Sequence, residues 1–263
     1  MIALQFGFGA LEGEFWRLLF VMTRIGAALL AAPLFGAAAV PMQLRVSMAG
    51  AVAVMICAWT PVAAPPALFT LSGLLITANE VLIGLSLGFV LQWSFAAPLI
   101  AAELIGGSMG MSIATAADPV SGSHSPALGQ YFSVLLTVLF LGLGAHLSWL
   151  SLVIESYRAF PPGAAWFTPD RMLLVASFGA QMLATAVTIA LPVALLLLLV
   201  QVMTGVISRS APSLNLFALG LPAGVLAGIA ALIVTAPLLT DRLTDLSATA
   251  VAQAAQIVVP AHG

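Results

Sequence analysis

Lysine is absent from this 263-residue sequence, and charged side chains of any kind make up only 6% of it. Soluble globular domains carry roughly 25% charged residues, whereas 62% of the residues here are hydrophobic. These proportions exclude an ordinary soluble domain and predict an integral membrane protein. The seven basic residues, all arginine, and the nine acidic residues give a net charge of −2. We therefore expect no basic surface that binds nucleic acid.

Motifs that carry chemistry are also missing. The single cysteine, Cys57, lies in an apolar run and cannot form an intrachain disulfide. The sequence contains no HExxH, Walker loop, GxSxG or CxxC motif, and the absence of lysine excludes Ser–Lys and Schiff-base mechanisms. His124 has no cysteine or acidic residue near it at metal-ligand spacing. We therefore expect no enzymatic activity, no metal site and no cofactor.

Long apolar runs are the main feature that is present. A membrane-spanning helix needs about 20 mostly apolar residues. The candidate segments are 14–32, 46–64, 70–97, 127–154, 172–208 and 214–240. The first is the weakest because it contains Arg17 and Arg24. Pro98, Pro192 and Pro222 are expected to end, bend or interrupt the third, fifth and sixth segments, since proline removes a helical hydrogen bond. The sequence predicts an all-α fold, a membrane-embedded bundle of kinked helices and re-entrant hairpins.

Two glycine pairs have the spacing that lets helices approach closely. They are Gly84-x-x-x-Gly88 and Gly224-x-x-x-Gly228. Glycine is frequent in this chain, so each pair alone is a weak signal. Together they predict tight helix packing, within the chain or with partner chains.

Ionisable residues within apolar segments are costly in a membrane, so each is a candidate functional residue. Glu80 and Glu103 stand out. Either is a candidate to bind an ion or proton or to pair with Arg24 of another chain; alternatively, each lies at a helix end that reaches water. His146 is a candidate for protonation, but a histidine hydrogen-bonded to a neighbouring carbonyl is favoured.

The most unusual segment lies between Glu103 and Tyr131. It is too rich in glycine and polar residues for a lipid-facing helix, yet too apolar for a simple solvated loop. Non-helical backbone at membrane depth is tolerated only where protein buries it or where it lines a cavity. We therefore predict a loop inside a protein-lined path. Its candidate residues are Gly106, Gly107, Met109, Gly110, Met111, Ile113, Asp118 and Pro119.

A second punctuated segment follows the fifth apolar run. Arg209 is expected near the C-terminus of the preceding helix, where its charge complements the helix dipole. Pro212 marks a turn, and Asn215 can hydrogen-bond freed backbone groups. The pattern predicts a tight helix–turn–helix corner with one cation, and a plain hairpin turn fits the spacing as well.

Motifs that follow one another through nearly the whole chain carry a family resemblance. They are Arg24-Ile25, Pro33-Leu34-Phe35-Gly36, Val40-Pro41, Asn79-Glu80-x-x-Ile83-Gly84-x-x-x-Gly88-Phe89, the run from Gly106 to Pro119, Gly144-Ala145-His146 with Ser156, Pro161-Pro162-Gly163, and Arg209-x-x-Pro212-x-x-Asn215-x-Phe217-x-x-Gly220-x-Pro222. This set resembles the FliR family of flagellar type III export-gate proteins. The pattern is more similar to the flagellar branch than to the injectisome branch.

The resemblance implies a subunit that joins FliP-like and FliQ-like membrane subunits, with an FlhB-like subunit, around a channel. The channel would lie in the bacterial inner membrane at the flagellar basal body, in contact with lipid and partly above the bilayer plane. Unfolded flagellar proteins would pass through it. Residues 1–170 would form a FliP-like helical region, and residues 171–263 a FliQ-like helical hairpin and C-terminal tail.

The resemblance also implies that the loop 106–126 plugs the closed channel. The family commonly has aromatic side chains in this loop, whereas Met109, Met111 and Ile113 occupy the apolar positions here. Flexible methionine can seal a gap and repack when a chain passes. Asp118 and Pro119 would anchor the far end of the loop.

A small-molecule or ion-coupled secondary transporter is the alternative. Interrupted helices suit substrate sites near the bilayer midplane, and Glu80 or Glu103 could couple ions. However, the sequence contains no convincing internal repeat. A passive membrane scaffold is the third interpretation.

Overall fold

The computed structural model describes residues 10–60, 62, 70–111, 126–164, 166–210 and 216–259. All regular structure in these ranges is helical. The helices are α1 Ala10–Ala31, α2 Met42–Trp59, α3 Leu71–Ser108, α4 Pro126–Gly142, α5 Ala145–Ala159, α6 Pro169–Ser210 and α7 Leu216–Val258. The predicted all-α fold is confirmed.

Four helices are long and apolar enough to cross a membrane: α2, α3, α6 and α7. The number rises to five if α4 and α5, which are separated by a short break, together form one span. Helix α1 is not among the candidate spans, because Glu12, Glu14, Arg17 and Arg24 are spread along most of it. The first apolar segment, predicted to be the weakest, therefore forms a helix that is not a candidate span.

None of the prolines within the long helices ends its helix. Pro98 lies inside α3, Pro192 inside α6, and Pro222 and Pro237 inside α7. The expectation that proline ends, splits or interrupts these segments was wrong, and a bend at Pro98 or Pro192 stays a prediction. A proline removes one backbone hydrogen bond, but ending the helix would leave several backbone groups unsatisfied in an apolar environment. That larger cost keeps the helix continuous.

The fourth apolar segment is interrupted where the sequence predicted a continuous helix. Helix α4 ends at Gly142 and α5 begins at Ala145. Gly144 adopts a left-handed conformation with φ of 70°, which glycine reaches without a Cβ clash. Its carbonyl accepts a hydrogen bond of 3.0 Å from the Leu147 amide, so the new helix starts at this glycine.

The residues group by their contacts into two compact units. The first unit comprises 1–93, 144–179 and 248–263, and the second comprises 94–143 and 180–247. Each unit draws on separate stretches of the chain, so long-range contacts hold each one together.

Each unit has its own aromatic core. In the first unit, the fully buried Trp149 donates a 3.0 Å hydrogen bond from its indole nitrogen to the Leu87 carbonyl, and Phe35 stacks on it at 5.9 Å. In the second unit, Phe95 and Phe140 meet edge to face at 5.4 Å. Such contacts fix side-chain positions more narrowly than aliphatic packing alone.

Much of the apolar surface of the long helices is not covered by this chain. In the most apolar stretch of each helix, only 17% of the residues in α2, 28% in α6 and 22% in α7 are buried. Soluble monomers rarely expose apolar surface on this scale. Lipid or other membrane proteins must therefore cover these faces.

Candidate functional site

A fully buried ion pair joins two of the sequence-predicted residues in the first unit. Arg24 of α1 donates from Nε to Glu80 Oε2 at 2.7 Å and from Nη2 to Oε1 at 2.9 Å. Neither side chain is exposed. The structure therefore pairs Arg24 with Glu80 of the same chain. Two parallel hydrogen bonds of this kind hold a carboxylate in one orientation.

The remaining donors of Arg24 are directed at α5 and the residue that follows it. Nη1 donates to Ser156 Oγ at 3.1 Å, and Nη2 donates to the Phe160 carbonyl at 2.8 Å. The Tyr157 ring lies 4.1 Å from the guanidinium carbon. One arginine thus fastens α1, α3 and the end of α5 together. The sequence marked Ser156 only as a member of a motif, and its bond to Arg24 depends on the fold.

The first glycine pair allows α3 to lie directly against α1. A Cβ on Gly84 would overlap the carbonyl oxygen of Arg24. A Cβ on Gly88 would lie 2.6 Å from the Ala28 carbonyl oxygen and 2.5 Å from the Ala31 Cβ. The predicted close approach of helices at this pair is confirmed. This close approach places the backbones of α1 and α3 in contact next to the Arg24–Glu80 ion pair.

Arg171 is a structural residue that the sequence did not single out. Its Nη1 donates to the Ile257 carbonyl at 2.9 Å and its Nη2 to the Val259 carbonyl at 3.0 Å, at the end of α7. The rings of Phe160 and Trp166 lie 4.4 and 5.9 Å from its guanidinium carbon. One signal was available: a cation in the first turn of its own helix opposes that helix dipole, so it is expected to serve another group.

The predicted plug segment begins where α3 ends, in the second unit. Gly106 and Gly107 form the last turn of the helix, and Gly110 adopts a φ of 83°. Its amide donates to the Gly107 carbonyl at 3.0 Å. Met109 is 5% exposed and Met111 is half-buried. Left-handed glycine is a common helix terminator, so α3 ends within the glycine-rich run. The expectation that Gly106 and Gly107 already lie in a loop was wrong, because both are helical.

Other predicted residues are dispersed. Glu103 is exposed on α3, and Arg209 is exposed in the last turn of α6, where its charge was predicted to complement the dipole. His146 lies in the first turn of α5, and its enclosed Nδ1 makes no hydrogen bond to any described residue. Four predicted residues lie outside the described ranges: Ile113, Asp118, Pro119 and Asn215.

Nothing in the described structure resembles a metal centre. Within residues 10–60, 70–111, 126–164, 166–210 and 216–259, no three His, Cys, Asp or Glu side chains are grouped closely enough to hold an ion. The two interior charges that these helices bury most completely, Arg24 and Glu80, neutralise each other. The arrangement is suited to holding helices in place.

Comparison with known proteins identifies relatives over most of the chain. Residues 15–250 match the family model of bacterial export proteins, family 1. The flagellar biosynthetic protein FliR of Escherichia coli (strain K12) is 31% identical over 86% of this chain and 84% of its own length. The FliR protein of Bacillus subtilis (strain 168) is 33% identical over 82% of this chain and 84% of its own length.

A third relative shows similarity of the same extent. FliR of Aquifex aeolicus (strain VF5) is 28% identical over 84% of this chain and 86% of its own length. The family match covers most of both units, three of the four helices that could cross a membrane, and most of the fourth, α7. The chain therefore belongs to the FliR family of bacterial export proteins and is a membrane-embedded component of the flagellar export apparatus.

Proposed function

We propose that this chain is a non-enzymatic subunit of the flagellar type III export channel, in which the loop 106–126 plugs the closed pore. Unfolded flagellar proteins pass through the channel when the loop moves aside. The channel lies in the bacterial inner membrane at the flagellar basal body. Membership of the export family supports the transport role.

One observation carries the plug proposal: a helix apolar enough to cross a membrane ends inside the Gly106–Met111 run. Carbonyl groups at the end of a helix need hydrogen-bond partners outside that helix, and lipid supplies none. A channel wall built by several chains supplies such partners. Met109 and Met111 stand at the start of the loop, where flexible apolar side chains can seal a pore.

The partners that we propose are FliP-like and FliQ-like membrane subunits and an FlhB-like subunit. The uncovered apolar faces of α2, α6 and α7 support assembly with other membrane helices. Exposed Glu103 and Arg209 are proposed contacts with those subunits. The division into a FliP-like region, residues 1–170, and a FliQ-like region, residues 171–263, also remains a proposal, since the units defined by contacts describe packing within this chain.

Deletion of Gly107–Ala116 tests the plug in cells that express the assembled gate. The measurement is the leakage of small ions across the membrane at rest. We expect leakage to rise well above that of the wild type. A matched variant replaces the same ten positions with glycine and serine, which keeps the loop length but removes the apolar side chains; it should also leak. Unchanged leakage in both variants would contradict the plug.

Copurification tests the proposed partners independently. The tagged chain, solubilised in mild detergent, should carry FliP-like and FliQ-like subunits with it in a fixed ratio. A secondary transporter would instead be recovered alone or as a homo-oligomer with transport activity. Recovery without other membrane subunits would contradict the proposed assembly.

A further inference from the structure

We propose that Gln201, Gly224 and Gly228 form a seat for Met109 that holds the beginning of the plug loop in the closed gate. This inference rests on the proposed plug function. We call these three residues the Met109 seat. All of them, and Met109 itself, belong to the second unit.

The first component of the seat is a flat surface on α7. A Cβ on Gly224 would lie 2.8 Å from the Met109 carbonyl oxygen. A Cβ on Gly228 would lie 2.5 Å from both Cγ and Cε of Met109 and 2.7 Å from its sulfur. The methionine thus lies across Gly228 along its length, and only glycine leaves room for it. The contact leaves Met109 5% exposed.

The second component of the seat is a hydrogen bond from α6. Gln201 Nε2 donates to the Ser108 carbonyl at 2.6 Å. Ser108 is the last residue of α3, and the last carbonyls of a helix have no partner within it. The glutamine therefore caps the end of α3 from another helix. Two independent contacts, one apolar and one polar, fix the same helix end.

The nature of these contacts suits a reversible latch. The seat holds Met109 against a glycine surface and holds the neighbouring Ser108 carbonyl through one side-chain amide, and neither contact is an ion pair. Methionine repacks readily because it is unbranched and has three rotatable bonds. A passing chain can therefore displace Met109 without unfolding α6 or α7. The seat also gives a reason for two glycines within a helix, where glycine is otherwise unfavourable.

Substitution of the glycines tests the seat. Alanine favours a helix over glycine, so Gly224→Ala and Gly228→Ala are expected to preserve α7 while they push Met109 away. We expect both variants to raise resting ion leakage several-fold at unchanged protein level. Gly205→Ala is the matched control, since a Cβ on that helical glycine would have no described atom outside its own stretch of helix within 4 Å. Leakage at the wild-type level in Gly224→Ala and Gly228→Ala would overturn the seat.

A cross-link provides a second test, in which the expected result is a block of export and not an increase in ion leakage. Met109 Cγ lies 2.5 Å from the Cβ position of Gly228, so the two Cβ positions are within about 4 Å, given a carbon–carbon bond of about 1.5 Å. Disulfides span Cβ separations in this range. In a Cys57→Ser background, Met109→Cys with Gly228→Cys should form a disulfide on oxidation and block export, and reduction should restore export. Export at the wild-type rate from the cross-linked gate, or failure of the cross-link to form, would overturn the seat.

The outcomes separate this inference from the proposed function. If deletion of Gly107–Ala116 causes leakage but Gly228→Ala does not, the plug stands and the seat is wrong. If the deletion causes no leakage, the plug is wrong and the seat loses its role in closure. Leakage from the deletion and from both glycine variants, with none from Gly205→Ala, supports both.

Discussion

Arg24 and Glu80 form a bidentate ion pair in which neither side chain has any solvent exposure, with N–O distances of 2.7 and 2.9 Å. They are 56 residues apart in the chain. Burial of two charges is costly, so such a pair contributes little net stability, but loss of one partner leaves the other charge buried and uncompensated. The pair therefore makes the junction of α1 and α3 intolerant of single substitutions.

Glu80→Gln should destabilise the chain by about 3–5 kcal/mol, because Arg24 would remain buried without a counter-charge. The measurement is unfolding of the purified assembly by denaturant, followed by circular dichroism. Glu14→Gln is the matched control: Glu14 is 66% exposed and its pair with Arg17 is at the surface, so its loss should cost less than about 1 kcal/mol.

The double variant Arg24→Met with Glu80→Leu should recover most of the stability lost in Glu80→Gln, since apolar residues of similar volume replace a buried pair at little cost. If the double variant is as unstable as Glu80→Gln, the loss of stability does not come from an uncompensated charge on Arg24, and the prediction is wrong.

Arg171→Lys should loosen the end of α7. The guanidinium reaches two carbonyls, of Ile257 and Val259, and lies over the Phe160 ring, whereas an ammonium cannot reproduce this planar fork. Hydrogen bonds to charged groups contribute about 1.5–3 kcal/mol. Faster amide hydrogen exchange over the last turn of α7 is the expected result. Arg158→Lys serves as the control, because Arg158 is exposed. Equal protection from amide exchange in the two variants would contradict the proposed role of Arg171 at the end of α7.

Gly84→Ala and Gly88→Ala should each separate α3 from α1 and destabilise the fold by about 1–3 kcal/mol, as is typical of overpacking. Gly26→Ala in α1 is the control, because no atom of the described residues outside its own stretch of helix lies within 4 Å of its Cβ position. That variant should be neutral or gain up to about 1 kcal/mol from helix propensity. Thermal unfolding of the three variants measures the difference; similar losses in all three would count against a specific contact.

The sequence was sufficient for the features that depend on local composition. Long apolar runs predicted the helices, and the spacing of Gly84 and Gly88 predicted close packing of α3 on another helix. The glycine-rich run predicted a loop from Gly106 onward, whereas α3 continues to Ser108. These signals work because hydrophobicity and glycine geometry act over a few residues.

Features that depend on distant regions of the chain could not be predicted in the same way. The seat of Met109 requires Gly224 and Gly228, which lie far along the chain on another helix. The break between α4 and α5 could not be predicted, because nothing in the local sequence shows that Gly144 adopts a left-handed conformation. Pro98 was expected to end or bend its helix, and Pro192 to kink or split its helix, because the local cost of proline is clear. The larger cost of unpaired backbone in an apolar environment acts over the whole helix and keeps it continuous.

All basic residues of this chain are arginine, and three of them donate hydrogen bonds to carbonyl groups at the ends of helices. Arg17 donates to the carbonyls of Cys57 and Thr60 at the end of α2. Arg24 and Arg171 donate to carbonyls at the ends of α5 and α7. Carbonyls at helix ends lack partners within their own helix, and the guanidinium fork can reach two acceptors at once.

The central claim is that the loop 106–126 closes a protein-conducting channel, and ion conductance of the purified assembly in lipid vesicles tests it most directly. The wild-type assembly should be almost non-conducting. The assembly that lacks Gly107–Ala116 should conduct small ions, with its other subunits present in the same ratio. Equal conductance in the two preparations would contradict the account.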